Sequence, residues 1–133
     1  MGKIVSIHSF RGGTGKSNIS ANVAAQLASQ GKRVGVVDTD IQSPGIHVIF
    51  GMDDTTINMA LNDYLWERCT VEEAAYDVTT VVQGKGEPLS GVLYLIPSSL
   101  RSGEISKVLK EGYNVTLMTD GFDALIENLD LDY

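Results

Sequence analysis

The stretch Phe10-Arg11-Gly12-Gly13-Thr14-Gly15-Lys16-Ser17 decides how the rest of the chain is read. Its glycines allow φ > 0 and let the backbone close on an anion with no Cβ in the way. Main-chain N–H groups can then converge on a phosphate. A helix beginning near Ser17 would add the partial positive charge of its N-terminus. In that arrangement Lys16 reaches the terminal phosphates, and the Ser17 hydroxyl is the natural ligand for Mg²⁺. The ordinary phosphate loop requires glycine at the place of Phe10, so the plain pattern fails. The variant R/K-G-G-x-G-K-S/T is present instead, and a chance match to its core in a chain this long has odds of roughly one in a thousand or less.

The flanks supply the context this loop needs. Lys3–Ser9 alternates apolar and polar residues, which predicts a strand. From Ser17 a helix is expected, with Ile19, Val23 and Leu27 recurring every four residues and Ala24 and Ala28 alongside. Gly31 sits where a helix C-cap belongs. Arg33–Asp38 is a nearly continuous apolar run, as in a strand buried on both faces of a parallel sheet. Strand, glycine loop, helix and strand make a βαβ unit. The second strand ends in Asp38-Thr39-Asp40. In parallel α/β sheets ligands sit at the carboxyl ends of strands, where the loop and this acidic pair meet. Two carboxylates beside a phosphate make sense if Mg²⁺ intervenes or if one of them polarises an attacking water. A helix cap or a solvated turn is the plainer reading of the pair.

Together these residues resemble the MinD/ParA family of dimeric ATPases with a deviant phosphate loop. The counterparts are Arg11–Ser17 and V-V-D-T-D-I-Q-S-P (Val36–Pro44), with I-P-S-S (Ile96–Ser99) closing a later strand. The resemblance is specific up to Gly45 and general beyond it. It implies an α/β P-loop NTPase fold, a mostly parallel sheet flanked by helices and incomplete on its C-terminal side. It also implies ATP/ADP and Mg²⁺ as cofactors. Gly12, Gly13, Thr14, Gly15, Lys16, Ser17 and Asn18 would bind the nucleotide. Ser17 would ligate the metal, and Asp38 would lie near the metal's water shell. Lys16, Asp40 and Arg11 would be catalytic, with Asp40 orienting water. Arg11 stands where the family has a lysine that reaches across a nucleotide-dependent homodimer. Its planar fork differs from a compact ammonium in reach and hydrogen bonding.

Beyond Pro44, helices are expected over Ile57–Trp66, Val71–Ala75, Ser102–Leu109 and Thr116–Leu129. The last carries a core stripe of Leu117, Phe122, Leu125, Ile126 and Leu129. Gln83–Gly91 reads as a loop, and Val92–Ile96 as a buried strand stopped by Pro97. The 133 residues are read as the N-terminal part of one ATPase domain, because the end at Tyr133 comes off a helix at the threshold of another strand. In the family that strand lies between the first strand and Arg33–Asp38. A piece lacking it is expected to have a gap, with unpaired edges prone to strand exchange or aggregation.

The bulk properties set wide bounds. The chain is 43% hydrophobic and 20% charged, with a net charge of −7, so its surface as a whole repels nucleic acid and anionic lipid. Cys69, the sole cysteine, cannot form an internal disulfide or a cysteine-pair metal site, and a cytoplasmic location is expected. Attachment to a membrane surface or DNA would run through regions outside this chain, with an activating partner protein as a further expectation from the resemblance. His8 and His47 read as structural, Cys69 as a buried thiol, and Glu111–Asp132 as a solvated helix face. Four functions stay open at this level. They are an ATPase switch for spatial positioning or partitioning, a hydrolytically weak nucleotide-binding scaffold, a metal- or cofactor-insertion ATPase, and, with no acceptor-binding motif visible, a phosphotransferase acting on a small acceptor.

Overall fold

The computed structural model describes residues 2–6, 16–39, 45–53, 55–80, 91–99, 103, 106–107, 110 and 115–133, with the backbone alone at 16–18. Among these residues three strands form one sheet in the order β1-β3-β2. β1 (Arg33–Val37) and β3 (Val92–Ile96) pair in parallel, with Val34 opposite Leu93 and Val36 opposite Leu95. β2 (Tyr76–Asp77) is a short antiparallel strand on the outer edge of β3, and sequence pattern did not single it out.

Strand alternation divides the core into two layers. Val34, Val36, Leu93 and Leu95 point to one face. There they pack with Ala21, Ala24 and Ala28 of α1 (Lys16–Ser29), and with Ile46 of α2 (Ile46–Ile49) and Phe50. Ile96 joins the opposite cluster with Leu61 and Leu65 of α3 (Leu61–Leu65), and with Met118 and Leu125 of α4 (Val115–Asn128). The expected α/β architecture is therefore present, with helices on both faces of a mixed sheet among the described residues.

The start and stop of α1 follow from local chemistry. The helix begins at Lys16, directly out of the glycine-rich loop. It ends in a Schellman motif: Lys32 N–H donates to Leu27 C=O at 3.2 Å, and Gly31 N–H donates to Ala28 C=O at 3.1 Å. Gly31 has φ +89°, a conformation that an L side chain seldom adopts. The buried face differs from the expected stripe. The small residues Ala21, Ala24 and Ala28 turn inward, letting helix and strand approach closely, while Ile19 and Val23 are exposed.

Other expectations shift at their edges. The helix expected from Ile57 starts only at Leu61, because Ile57 N–H is held by Asp53 C=O in a turn and Ala60 is extended. Val71–Ala75 contributes a 3-10 turn over Glu72–Ala74. Of the helix expected over Ser102–Leu109, the described residues Gly103, Ser106 and Lys107 are helical, and the loop at 83–90 lies outside the described residues.

The largest departure is at the N-terminus. Residues 3–6, expected to open a strand, join no sheet, and Ile4 and Val5 are 58% and 64% exposed. Residues 7–9 lie outside the described residues. The reason lies on the open edge of β1. The C-terminal residues 131–133 stand between that edge and residue 3. Tyr133 N–H donates to Arg33 C=O at 3.3 Å and Gly35 N–H donates to Tyr133 C=O at 3.0 Å, the two bonds of a parallel pairing around Val34. Lys3 N–H in turn donates to Asp132 C=O at 2.8 Å. Beside this pairing lies a cavity of about 260 Å³, lined by Ile4, Val5, Leu27, Val36 and Ile126 among others. It leaves that side of β1 partly uncovered. For the same reason β1 is not buried on both faces. Val34 and Val36 are covered, whereas Gly35 and Val37 on the other face are half-buried.

Candidate functional site

The carboxyl edge of the sheet is polar and buried. Asp38, Ser98 and Ser99 follow directly on β1 and β3, and Asn62 approaches from α3. None of the four is more than 7% exposed. Asp38 extends the ladder, its N–H donating to Ile96 C=O at 3.0 Å. Its C=O accepts the Ser98 hydroxyl at 2.6 Å. The carboxylate faces the next segment, where Oδ2 accepts Gly45 N–H at 3.2 Å and Ile46 N–H at 3.4 Å. Those two amides open α2, so the acidic side chain caps the start of that turn of helix. The plainer reading of Asp38 as a cap is therefore correct for this oxygen.

Behind this edge α3 is tied to the end of β3. Leu61 N–H donates to Pro97 C=O at 2.7 Å, and Ser99 N–H donates to Asn62 Oδ1 at 2.7 Å. The second bond fixes the amide orientation of Asn62. Its Nδ2, fully buried, has no partner among the described residues. An unmet buried donor costs about 1–3 kcal/mol. His47 is also buried with Nδ1 unpartnered, and no cluster of His, Cys, Asp or Glu suited to a metal occurs among the described residues.

The remaining sequence candidates divide by where the description ends. Arg11, Gly12, Gly13, Thr14, Gly15 and Asp40 lie outside the described residues. Lys16, Ser17 and Asn18 form the first turn of α1, described in their backbone. That helix packs against β1, so its N-terminus and Asp38 belong to one α–β pair. A fourteen-residue helix directs its uncompensated N–H groups out of that end, which suits an anion. The buried carboxylate is an oxygen donor of the kind Mg²⁺ prefers. The residues present therefore fit a magnesium-bound polyphosphate in chemical type.

Comparison with known proteins agrees with this geometry. A family model described as ParA, a NUBPL iron-transfer P-loop NTPase, matches residues 1–83. The chain belongs to the ParA family of P-loop NTPases. Within that family it is similar to the septum site-determining protein MinD of Bacillus subtilis (strain 168), 35% identical over 127 residues. That alignment covers 95% of this chain and 44% of MinD. It is 50% identical over 52 residues to an iron-sulfur cluster carrier protein of Rickettsia bellii, covering 39% of this chain and 16% of the carrier. Among solved structures it resembles MinD of Pyrococcus horikoshii OT3, complexed with Mg-ADP, with a TM-score of 0.64 and 27% identity. That match spans 85% of this chain and 46% of the other. The chain thus spans less than half the length of the curated relatives described here.

Outside the site, two sequence readings are refined. Cys69 is half-buried, and burial first, then the nearby carboxylates of Asp63 and Glu73, push its thiol pKa up. A thiol so placed stays protonated and is a poor nucleophile. Trp66 carries the Lys107 ammonium 4.2 Å from its ring centroid, a cation–π contact that the sequence did not reveal. Ser98 and Asn62 were also missed as site residues. The I-P-S-S segment signalled the end of a strand, and nothing in the spacing of Asn62 pointed to the same edge.

Proposed function

We propose that this chain is the N-terminal part of a single ATPase domain that works as a nucleotide-dependent switch of the MinD/ParA type. The observation that carries the reading is that the glycine loop, through Lys16 and Ser17, opens the long helix packed on the strand that ends in Asp38. In this reading Gly12–Gly15 and Asn18 surround the phosphates and Lys16 neutralises them. Ser17 holds Mg²⁺ with Asp38 close by, and Asp40 orients the attacking water. The metal supplies charge neutralisation between the phosphates. Arg11 reaches the partner's nucleotide in a homodimer, so that turnover depends on association. The protein is cytoplasmic and acts in spatial positioning or partitioning. It reaches a membrane surface or DNA through parts of the protein other than these residues.

The test is phosphate release by the full-length protein. Asp40→Ala should bind ATP and release phosphate at least about tenfold more slowly. Unchanged turnover in that variant would overturn the assignment of Asp40. Phosphate release that stays absent with and without a partner would support the scaffold reading. A cofactor-insertion ATPase is favoured by the description of the matching family model and by the iron-sulfur carrier relatives. Stoichiometric iron in the anaerobically purified full-length protein would support that reading over a positioning switch.

A further inference from the structure

The buried polar chain at the carboxyl edge runs across the sheet, from α2 on one face to α3 on the other. Among the described residues Asp38 is held through its N–H, its C=O and its carboxylate. Its N–H is bound to Ile96, its C=O to the Ser98 hydroxyl, and its carboxylate oxygen Oδ2 to the amides of Gly45 and Ile46. The parallel ladder accounts for the first of these, because β1 and β3 end together at Val37 and Ile96. Beyond the ladder, the Ser98 hydroxyl is the group that fixes the Asp38 carbonyl. That carbonyl belongs to the peptide leading to Thr39 and Asp40. Ser98 in turn is fixed from α3, through Leu61 N–H on Pro97 and Asn62 Oδ1 on Ser99 N–H.

The chemistry of Asn62 separates positioning from packing. An aliphatic side chain at this fully buried site would fill space but take the acceptor away from Ser99 N–H. The amide here keeps an Nδ2 unpartnered among the described residues while its oxygen is used on one backbone N–H. We propose that Ser98 and Asn62 are positioning residues for Asp38, setting from the far face of the sheet where the acidic segment presents its carboxylate. The inference deepens the proposed function and rests on Asp38 lying beside nucleotide-bound Mg²⁺. Neither residue touches the nucleotide, and both act through the Asp38 backbone.

Such a role affects the metal-dependent part of binding and spares the rest. In the full-length protein, ADP affinity is measured by calorimetry with Mg²⁺ and again with EDTA. Ser98→Ala and Asn62→Ala should each weaken binding about fivefold with Mg²⁺, the loss expected for one hydrogen bond. Without Mg²⁺ they should change it less than about twofold. Ser98→Thr, which keeps the hydroxyl, should recover most of the difference. Equal weakening with and without Mg²⁺, or no weakening in either, overturns the inference. If the unmutated protein binds ADP no better with Mg²⁺, the functional reading falls and this one with it. Should an alanine variant not fold, NMR of the unmutated protein decides. Adding Mg²⁺ to the ADP complex should shift the amides of Gly45, Ile46 and Ser99 together. A shift confined to Gly45 and Ile46 overturns the coupling.

Discussion

Arg33→Ala should loosen the end of α4 and, through it, the C-terminal segment that follows. The Arg33 guanidinium stands at the end of α4, where Nε donates to Leu129 and Asp130 carbonyls at 3.1 Å each and Nη2 donates to Leu129 at 2.9 Å. These are carbonyls that the helix leaves unsatisfied, and a cation there also opposes the negative end of the helix dipole. The backbone N–H of the same residue donates to Asp132 Oδ2 at 2.9 Å, so one residue holds both helix end and tail. Hydrogen bonds from a charged donor contribute about 1.5–3 kcal/mol when shielded, and less where water competes. Arg33 is half-buried, and a net loss of about 2 kcal/mol is expected. In urea unfolding that lowers the midpoint by about 1 M at unchanged slope. Arg33→Lys should recover less than half, because a point charge cannot fork between two carbonyls. Hydrogen exchange should report faster loss of protection at the amides of Asp132 and Tyr133. A midpoint shift below about 0.3 M with unchanged exchange there would refute the reasoning.

Gly121→Ala should destabilise despite the better helix former, because a Cβ there would lie 2.6 Å from Cε2 of Tyr64. Tyr64 is anchored by its hydroxyl donating to Leu117 C=O at 2.7 Å. A loss of about 1–2 kcal/mol in urea unfolding is expected, and a gain would contradict the packing. Glu72 has its pKa lowered, chiefly by the 2.6 Å hydrogen bond from Asn128 Nδ2. Its contribution is present above the ordinary carboxylate pKa of 4.5 and fades as pH falls through the lower folded value. Asn128→Ala should therefore weaken stability at pH 7 and flatten its decline below pH 4.5, read from urea midpoints across pH. Cys69 should react with iodoacetamide more slowly at pH 8 than an unstructured cysteine, and an equal rate would contradict the raised thiol pKa.

Sequence alone revealed those parts of the fold in which local pattern and tertiary burial agree. Val92–Ile96 is a run bounded by Gly91 and Pro97, and the strand occupies it residue for residue. Gly31 stops α1 through a positive φ that its own chemistry permits. The misreadings share a cause, which is that periodicity reports hydrophobicity and not what lies opposite. Ile4 and Val5 read as strand residues, yet a strand needs a neighbour and a cavity lies beside them. Ile19 and Val23 read as core, but the close approach of α1 to β1 is made by alanines.

The site was legible to a different degree. The glycine stretch reads as a phosphate loop because so few sequences place those residues ahead of a helix, and Gly12–Gly15 lie outside the described residues. Asp38 was legible by position at a strand end. Its capping of Gly45 and Ile46 could be anticipated only as one of several possible uses for a carboxylate. Ser98 was legible only as part of the I-P-S-S segment that ends a strand, and Asn62 carries no local signal. Asn62 reaches Ser99, the residue after Ser98, across 37 residues of sequence, and α3 is tied to the end of β3 through Leu61 and Pro97. Such long-range polar ties depend on the assembled topology, and no window of sequence contains them.

The most direct test of the account is nucleotide binding by the full-length protein, followed by calorimetry with Mg·ADP and Mg·ATP. The account predicts saturable binding with Kd below about 1 mM, weakened at least about tenfold by Lys16→Ala in a variant that keeps its unfolding midpoint. Absence of binding at that concentration, or affinity indifferent to Lys16, would contradict it.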